Sequence, residues 1–356
     1  MRRFWLTVVV LLASAGAAIA QSPEELAEGG HWKRVRAIVE PRVKANPNDA
    51  QAQWLLSRAR QAFGDQEAAL AAAERAVALN PRRAEYHVQL ANACALLAQN
   101  ASWLKQLSLG RRFKAEADAA VALDANNTDG LYAQMQFLWR APGMLGGDQA
   151  KAREIAQRIT RIDASRGYLV QADLASLERQ RDRLDGLYRK AVEANRRNYT
   201  ALLALANFSA SRPSPDADLV EKLAREAMAL APDRVGAYTI LVRLYARQQR
   251  VPDLEAILAD AARVVADNPT PFFVAATTLL AAGKELPRAE SYLRKYLAQE
   301  REGNATSHGV ARWRLGLVLE KEGRLKEAVT ELETAVRLEP KRDDIRKDLE
   351  RLKRAK

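Results

Sequence analysis

Redox and catalytic chemistry have little material in this chain. Its 356 residues include one cysteine and three histidines, and aromatic side chains make up only 6%. A lone Cys94 excludes an internal disulfide and any zinc site built on paired cysteines, and its run, Leu90 to Leu97, reads as core. His31, His87 and His308 are scattered without metal-ligand spacing, and HExxH, CxxC, GxSxG and GxGxxG are all missing. No catalytic residue, metal ligand or cofactor is therefore expected. The low aromatic content argues against a β-sandwich and leaves the packing to alanine and leucine, which suits closely paired helices. Beyond residue 20, no apolar run is long enough to cross a bilayer.

What the chain has in quantity is charge. Lys and Arg number 56 against 44 Asp and Glu, a formal net charge of +12. The signs are interspersed rather than blocked, which predicts solvated helix faces. Arg2 and Arg3, the apolar stretch Phe4 to Leu12, and Ala18-Ile19-Ala20 together have the layout of a secretory signal over residues 1–20. That layout predicts an exported chain starting at Gln21, periplasmic or secreted. Nucleic acid is not an expected partner there, and the basic balance allows weak attraction to anionic envelope surfaces.

The organising stretch is Gly309 to Arg342. Leu315, Gly316 and Leu319 mark one helix face and Gly323 breaks it. Ala328, Leu332, Ala335 and Leu338 mark a second face, and Pro340 ends it. Gly316, Ala328 and Ala335 are small enough for the two helices to approach closely. A gapless copy runs from Ala50 to Arg83, with Leu56-Ser57 on Leu315-Gly316, Gly64 on Gly323, Ala69 on Ala328, Ala76 on Ala335 and Pro81 on Pro340. Such a unit cannot bury its faces alone, so the remaining chain is expected to consist of further copies.

This spacing of small and large apolar residues resembles a tetratricopeptide repeat. The resemblance implies an all-α, right-handed superhelical solenoid over residues 21–340, with a partial first unit at 22–49 and about eight repeats over 50–340. The second copy carries some ten extra residues near 99–112, expected either in a lengthened first helix or between the helices. Residues 341–356, with Ile345, Leu349 and Leu352 on one stripe, read as a capping helix. Phe63-Gly64-Asp65, the 99–112 insertion and Ala141-Pro142-Gly143 with Gly146-Gly147-Asp148 further resemble a group of exported bacterial tetratricopeptide proteins.

In that family the first helix of each repeat lines a concave groove that binds a partner protein or peptide. The fifth repeat position faces the groove, and here it holds Trp54 and Trp313, large and stiff enough to act as anchors. The family's usual tryptophan position, one residue earlier, holds Gln53 and Arg312. Arg58 and Asn92 complete the candidate partner-binding set, although Val88 stands where a carboxylate clamp would need lysine. A second region combines His87 and Trp103 with the glycine-rich turn Gly143, Gly146, Gly147 and Asp148, in which Asp148 suits a helix cap. The leading expectation is a non-catalytic interaction scaffold. The rival is a small-molecule-binding component of a transport system, with its pocket between 99–112 and 140–148.

Overall fold

The computed structural model describes residues 21–354, so the expected signal over 1–20 and the last two residues lie outside the described residues. Nineteen α-helices follow one another through the described residues. The first unit is α1 (Pro23–Gly29) with α2 (Trp32–Ala45). Eight helix pairs follow: α3 (Ala50–Ala62) with α4 (Gln66–Leu79), α5 (Ala84–Ala98) with α6 (Trp103–Leu123), α7 (Thr128–Arg140) with α8 (Gln149–Ile162), and α9 (Ala164–Leu177) with α10 (Leu184–Ala194). Then come α11 (Tyr199–Ala210) with α12 (Ala217–Leu230), α13 (Val235–Gln248) with α14 (Val251–Val264), α15 (Thr270–Ala282) with α16 (Leu286–Leu297), and α17 (His308–Lys321) with α18 (Leu325–Leu338). The last helix, α19 (Asp343–Arg354), has no partner after it among the described residues. The fold is a helical-repeat solenoid.

Local chemistry sets the helix boundaries. Ser22 and Glu25 form a reciprocal capping box at α1. Asp49, Asp65, Asn127, Asp148, Asp163, Asn198, Asp216 and Ser307 each accept a backbone N–H at a helix start. Inside each pair the close approach falls at one position. A Cβ added to Gly316 would lie 2.0 Å from Leu332 Cδ1 and 3.1 Å from the Ala328 carbonyl. At the matching place in the first pair, the buried Ser57 hydroxyl donates to the Ala69 carbonyl over 2.7 Å. A small residue and a hydroxyl that bonds the facing backbone are two solutions to the same crowding.

The residues around 99–112 correct one expectation. They lengthen the second helix of their pair, since α6 runs for 21 residues whereas α5 ends at Ala98. The capping helix starts at Asp343 rather than 341, and it buries Ile345, Leu349 and Leu352.

The array also coils back on itself. Gln21 Nε2 donates to Asp233 over 3.0 Å, and His31 Nδ1 lies 3.1 Å from Asp267, which also receives Arg34. Farther along, Arg36 grips both oxygens of Glu300 at 2.9 and 3.0 Å, and the Lys33 backbone N–H donates to Glu302 at 2.8 Å. Gly303, at φ +51°, leaves room for Trp32, whose Cδ1 would stand 2.9 Å from an added Cβ. The first unit therefore closes against the loops that precede α13, α15 and α17.

Candidate functional site

The first helices of successive pairs line an inner, concave surface. Arg58 on α3 couples electrostatically to Glu24 and Glu28 on α1 and to Asp129 on α7, although a whole pair separates α3 from α7. Tyr132 on α7 donates to Asp173 on α9 over 2.8 Å, and Arg166 on α9 pairs with Asp129. Asp173 is open to water, yet desolvation by the surrounding walls raises its carboxyl above the usual range against the opposing Tyr132 hydrogen bond. A group that is accessible and ringed by protein belongs to a groove. Two clefts open along it. One, of about 420 Å³, includes Tyr132, Arg166, Leu169 and Asp173; the other, of about 500 Å³, includes Phe273, Thr277, Trp313, Arg314 and Arg342.

Three arginines of this surface have no close carboxylate partner. Elsewhere arginines sit in dense ion pairs: Arg324 binds Glu290, Glu322 and Glu327, and Arg250 binds Glu221 and Asp253. Burial disfavours ionised Glu221, but hydrogen bonds from Arg250, Tyr245 and Arg225 hold its carboxyl down at about 2. By contrast, Arg58, Arg243 and Arg314 are half-buried and make no ion pair among the described residues. Burial depresses the pKa of all three, and neighbouring Arg247 and Arg342 add repulsion at Arg243 and Arg314 respectively. The Arg58 guanidinium rests instead between the indoles of Trp54 and Trp32, 4.9 and 5.5 Å from their ring centres. Desolvated cations without a carboxylate are costly unless a ligand supplies one.

The structure sorts the sequence candidates. Trp54 is half-buried beside Arg58 and Tyr86, 5.9 Å ring to ring from the latter, so Trp54 and Arg58 stand together. Asn92 is half-buried on the next pair's first helix. Trp313 is only 8% exposed, and its Nε1 donates to Asp348 of α19 over 2.8 Å. His87 is a structural tie: Nε2 sits 3.0 Å from the Pro81 carbonyl and Nδ1 2.6 Å from Glu116. Gln53 and Tyr238 make the same bond, to the carbonyls of Pro47 and Pro232, each over 3.0 Å. The fourth position of the repeat thus ties each of these pairs to the turn before it, which accounts for glutamine at a place where the family uses tryptophan.

Trp103 and the glycine turn lie apart along α6. Gly146 lies beside Phe137 and Lys114, and Lys114 is eleven residues, roughly 16 Å, along α6 from Trp103. Trp103 is 70% exposed. Gly143 starts a short 3-10 turn and Gly146 ends it at φ +92°, while a side chain at Gly147 would run into the Ala141 carbonyl. Asp148 caps α8 through the Lys151 N–H. Among the described residues, no group of His, Cys, Asp and Glu is placed to hold a metal ion, and no helix is long and apolar enough to cross a membrane.

Arg243 and Arg314 were not among the sequence candidates. Arg58 and Arg243 each lie eleven residues after a proline, Pro47 and Pro232, that ends the preceding helix pair. Counting from those prolines would have found the match.

Comparison with known proteins agrees with this architecture. The tetratricopeptide-repeat family model matches residues 310–342. The yeast Tom70 crystal structure superposes with a TM-score of 0.51 at 13% identity, covering 93% of this chain and 80% of Tom70. A thermophilic tetratricopeptide protein of Thermus thermophilus is 21% identical over 53% of this chain and 98% of its own, with a TM-score of 0.41. No curated protein matches the sequence. The class is thus a tetratricopeptide-repeat solenoid. Residues 310–342 form a tetratricopeptide repeat, and the described residues around them have the fold of a solenoid built from such repeats.

Proposed function

We propose that this protein is an exported, non-catalytic scaffold of the bacterial cell envelope, and that its inner groove holds an extended acidic segment of a partner protein. A tetratricopeptide fold suggests protein interaction in general, and the reading narrows with one observation. Arg58, Arg243 and Arg314 are half-buried on first helices and make no close ion pair among the described residues, carboxylates acting on Arg58 and Arg314 only from a distance. A ligand carboxylate would form a charge-assisted, two-pronged pair with a guanidinium that is already partly desolvated and, at Arg58 and Arg314, held against an indole. Trp54 and Tyr86 beside Arg58, and Phe273 in the cleft beside Arg314, offer apolar surface between the charges. The segment would therefore alternate acidic and apolar residues.

The test is a titration of the folded protein with such a peptide and with its Asn/Gln counterpart. The expected result is at least tenfold weaker binding of the amide peptide, and a loss of that preference in Arg58→Ala, Arg243→Ala, Arg314→Ala protein. Equal affinity for the two peptides would refute the acidic-partner reading.

A further inference from the structure

The three most exposed large apolar side chains of the described molecule lie outside the groove. They are Met144 at 91%, Trp103 at 70% and Leu104 at 67%, and Leu145 beside Met144 is 39% exposed. All four belong to two irregular joints in adjacent pairs: the projecting start of α6 and the 3-10 turn between α7 and α8. Both joints lie on one edge of the solenoid. The rings of Phe113 and Phe137 stack at 6.3 Å, and Gly146 lies against Phe137 and Lys114, so the α7–α8 turn abuts α6 partway along its length. The first turns of α6 project past it, which spaces the two apolar tips by roughly 16 Å. Earlier joints on this edge are covered by the chain itself: Arg301 reaches the Phe63 carbonyl, and Asp267 receives His31. From α6 onward no later described segment covers the edge, and there the apolar side chains protrude.

Cations accompany them. Arg140, at the end of α7, is exposed without an ion pair, and Lys105 has only a loose one with Glu67 at 3.8 Å. The next joint on the same edge is fixed beside α8 by the Arg153–Glu178 pair, and it presents Arg179 and Arg181, both exposed and unpaired among the described residues. Nearby Asp148 is occupied as a helix cap and by Lys151, which leaves Glu67, Glu154 and Asp182 as the exposed acids close to these cations.

We propose that this edge docks on the surface of an anionic phospholipid bilayer. A protein partner would need a pocket for each protruding tip. A bilayer needs none, because its interfacial zone accepts indole and short apolar side chains while guanidinium groups meet lipid phosphates above. Two tips in line with flanking cations match a plane rather than a cleft. The groove lies on a different face, so a docked molecule would keep it open to a partner.

The experiment is vesicle co-sedimentation with protein beginning at Gln21, the first residue of the described fold, so that residues 1–20 cannot contribute. Phosphatidylglycerol–phosphatidylcholine vesicles should bind it, and pure phosphatidylcholine vesicles should bind it several-fold less. Trp103→Ser, Leu104→Ser, Met144→Ser protein, whose changes are all at exposed positions, should keep its melting temperature and lose at least tenfold in vesicle affinity. Arg140→Glu with Arg179→Glu should also weaken binding without touching an apolar side chain. No binding by the wild type, or equal binding by the triple variant, would overturn the proposal. So would concentration-dependent dimerisation that the triple variant abolishes, which would assign the edge to a second copy of the chain.

Discussion

Trp54 and Trp313 occupy the same position of the first full repeat and the last, and their surroundings differ. Trp313 is almost wholly buried, its indole N–H bonded to Asp348 of the terminal helix and its ring overlaid by Arg314 at 4.0 Å. Trp54 is half-buried, its N–H bonds to no described residue of the protein, and Arg58 and Tyr86 rest against it. What stacks beyond each pair makes the difference. Among the described residues the last pair is followed by α19, whose apolar stripe closes the core and whose Asp348 satisfies the indole. After α3 and α4 comes another full pair, and Trp54 stays in the wall of the groove. One repeat position is thus core at one end of the array and half-exposed groove wall at the other.

The largest expected effect tests that contrast. Trp313→Ala should lower stability by about 3–5 kcal/mol in urea unfolding, and Trp54→Ala by only about 1–2 kcal/mol. Equal losses would erase the distinction.

The next effect concerns how the first end is held. Burial pushes the Glu302 carboxyl up to about 7, and the hydrogen bond to Asp267 raises the pKa of His31 against the opposing effect of burial. Asp267, Asp233, Arg34 and Lys33 face these two groups. Both raised groups bind protons more tightly in the folded than in the unfolded state. Glu302 therefore contributes full stability below its unfolded value and loses it as pH rises toward 7. His31 contributes below its unfolded value and loses that contribution as pH climbs through its raised one. Asp267, held below its ordinary value mainly by His31 against burial, stays ionised throughout this window and weakens only in stronger acid. The contact of the first unit with the later loops should loosen between about pH 5 and 8, by on the order of 2 kcal/mol. Hydrogen exchange over residues 22–45, taken relative to the intrinsic amide rate at each pH, would show lower protection at the higher pH, and Glu302→Gln should flatten the trend. The last pair, held by α19, should show no matching change.

Smaller effects test the packing within pairs. Ala328 is fully buried against the first helix of its pair, so Ala328→Leu should cost about 1–3 kcal/mol; an unchanged melting temperature would disprove the register. Asp348→Ala, which leaves the Trp313 N–H without its acceptor, should cost about 1 kcal/mol and narrow the gap between the two tryptophans.

Much of the architecture was legible because repetition makes local signals add. Pro81, Pro340, Gly64, Gly323 and the alanines between them mark boundaries and close contacts without any knowledge of the fold. The extra residues near 99–112 were legible as an excess but not as an extension of α6, since Trp103 to Gly110 carries no break that would assign it to either helix. The contacts that close the array were not legible. They join residues more than 200 apart through ordinary Gln, His, Arg, Asp and Glu side chains that carry no mark of a distant partner. The groove was half legible: its tryptophan could be counted, but the absence of a partner for Arg243 or Arg314 exists only once neighbouring pairs are in place.

The central claim is that the inner groove holds a partner protein, and site-specific photo-crosslinking in intact cells tests it most directly. A photoreactive residue placed at Arg58 or at Arg243 should capture the same partner, through an acidic segment, while one placed at exposed Arg263 on a second helix should not. Capture from Arg263 alone, or no capture from either groove position in a folded protein, would contradict the account.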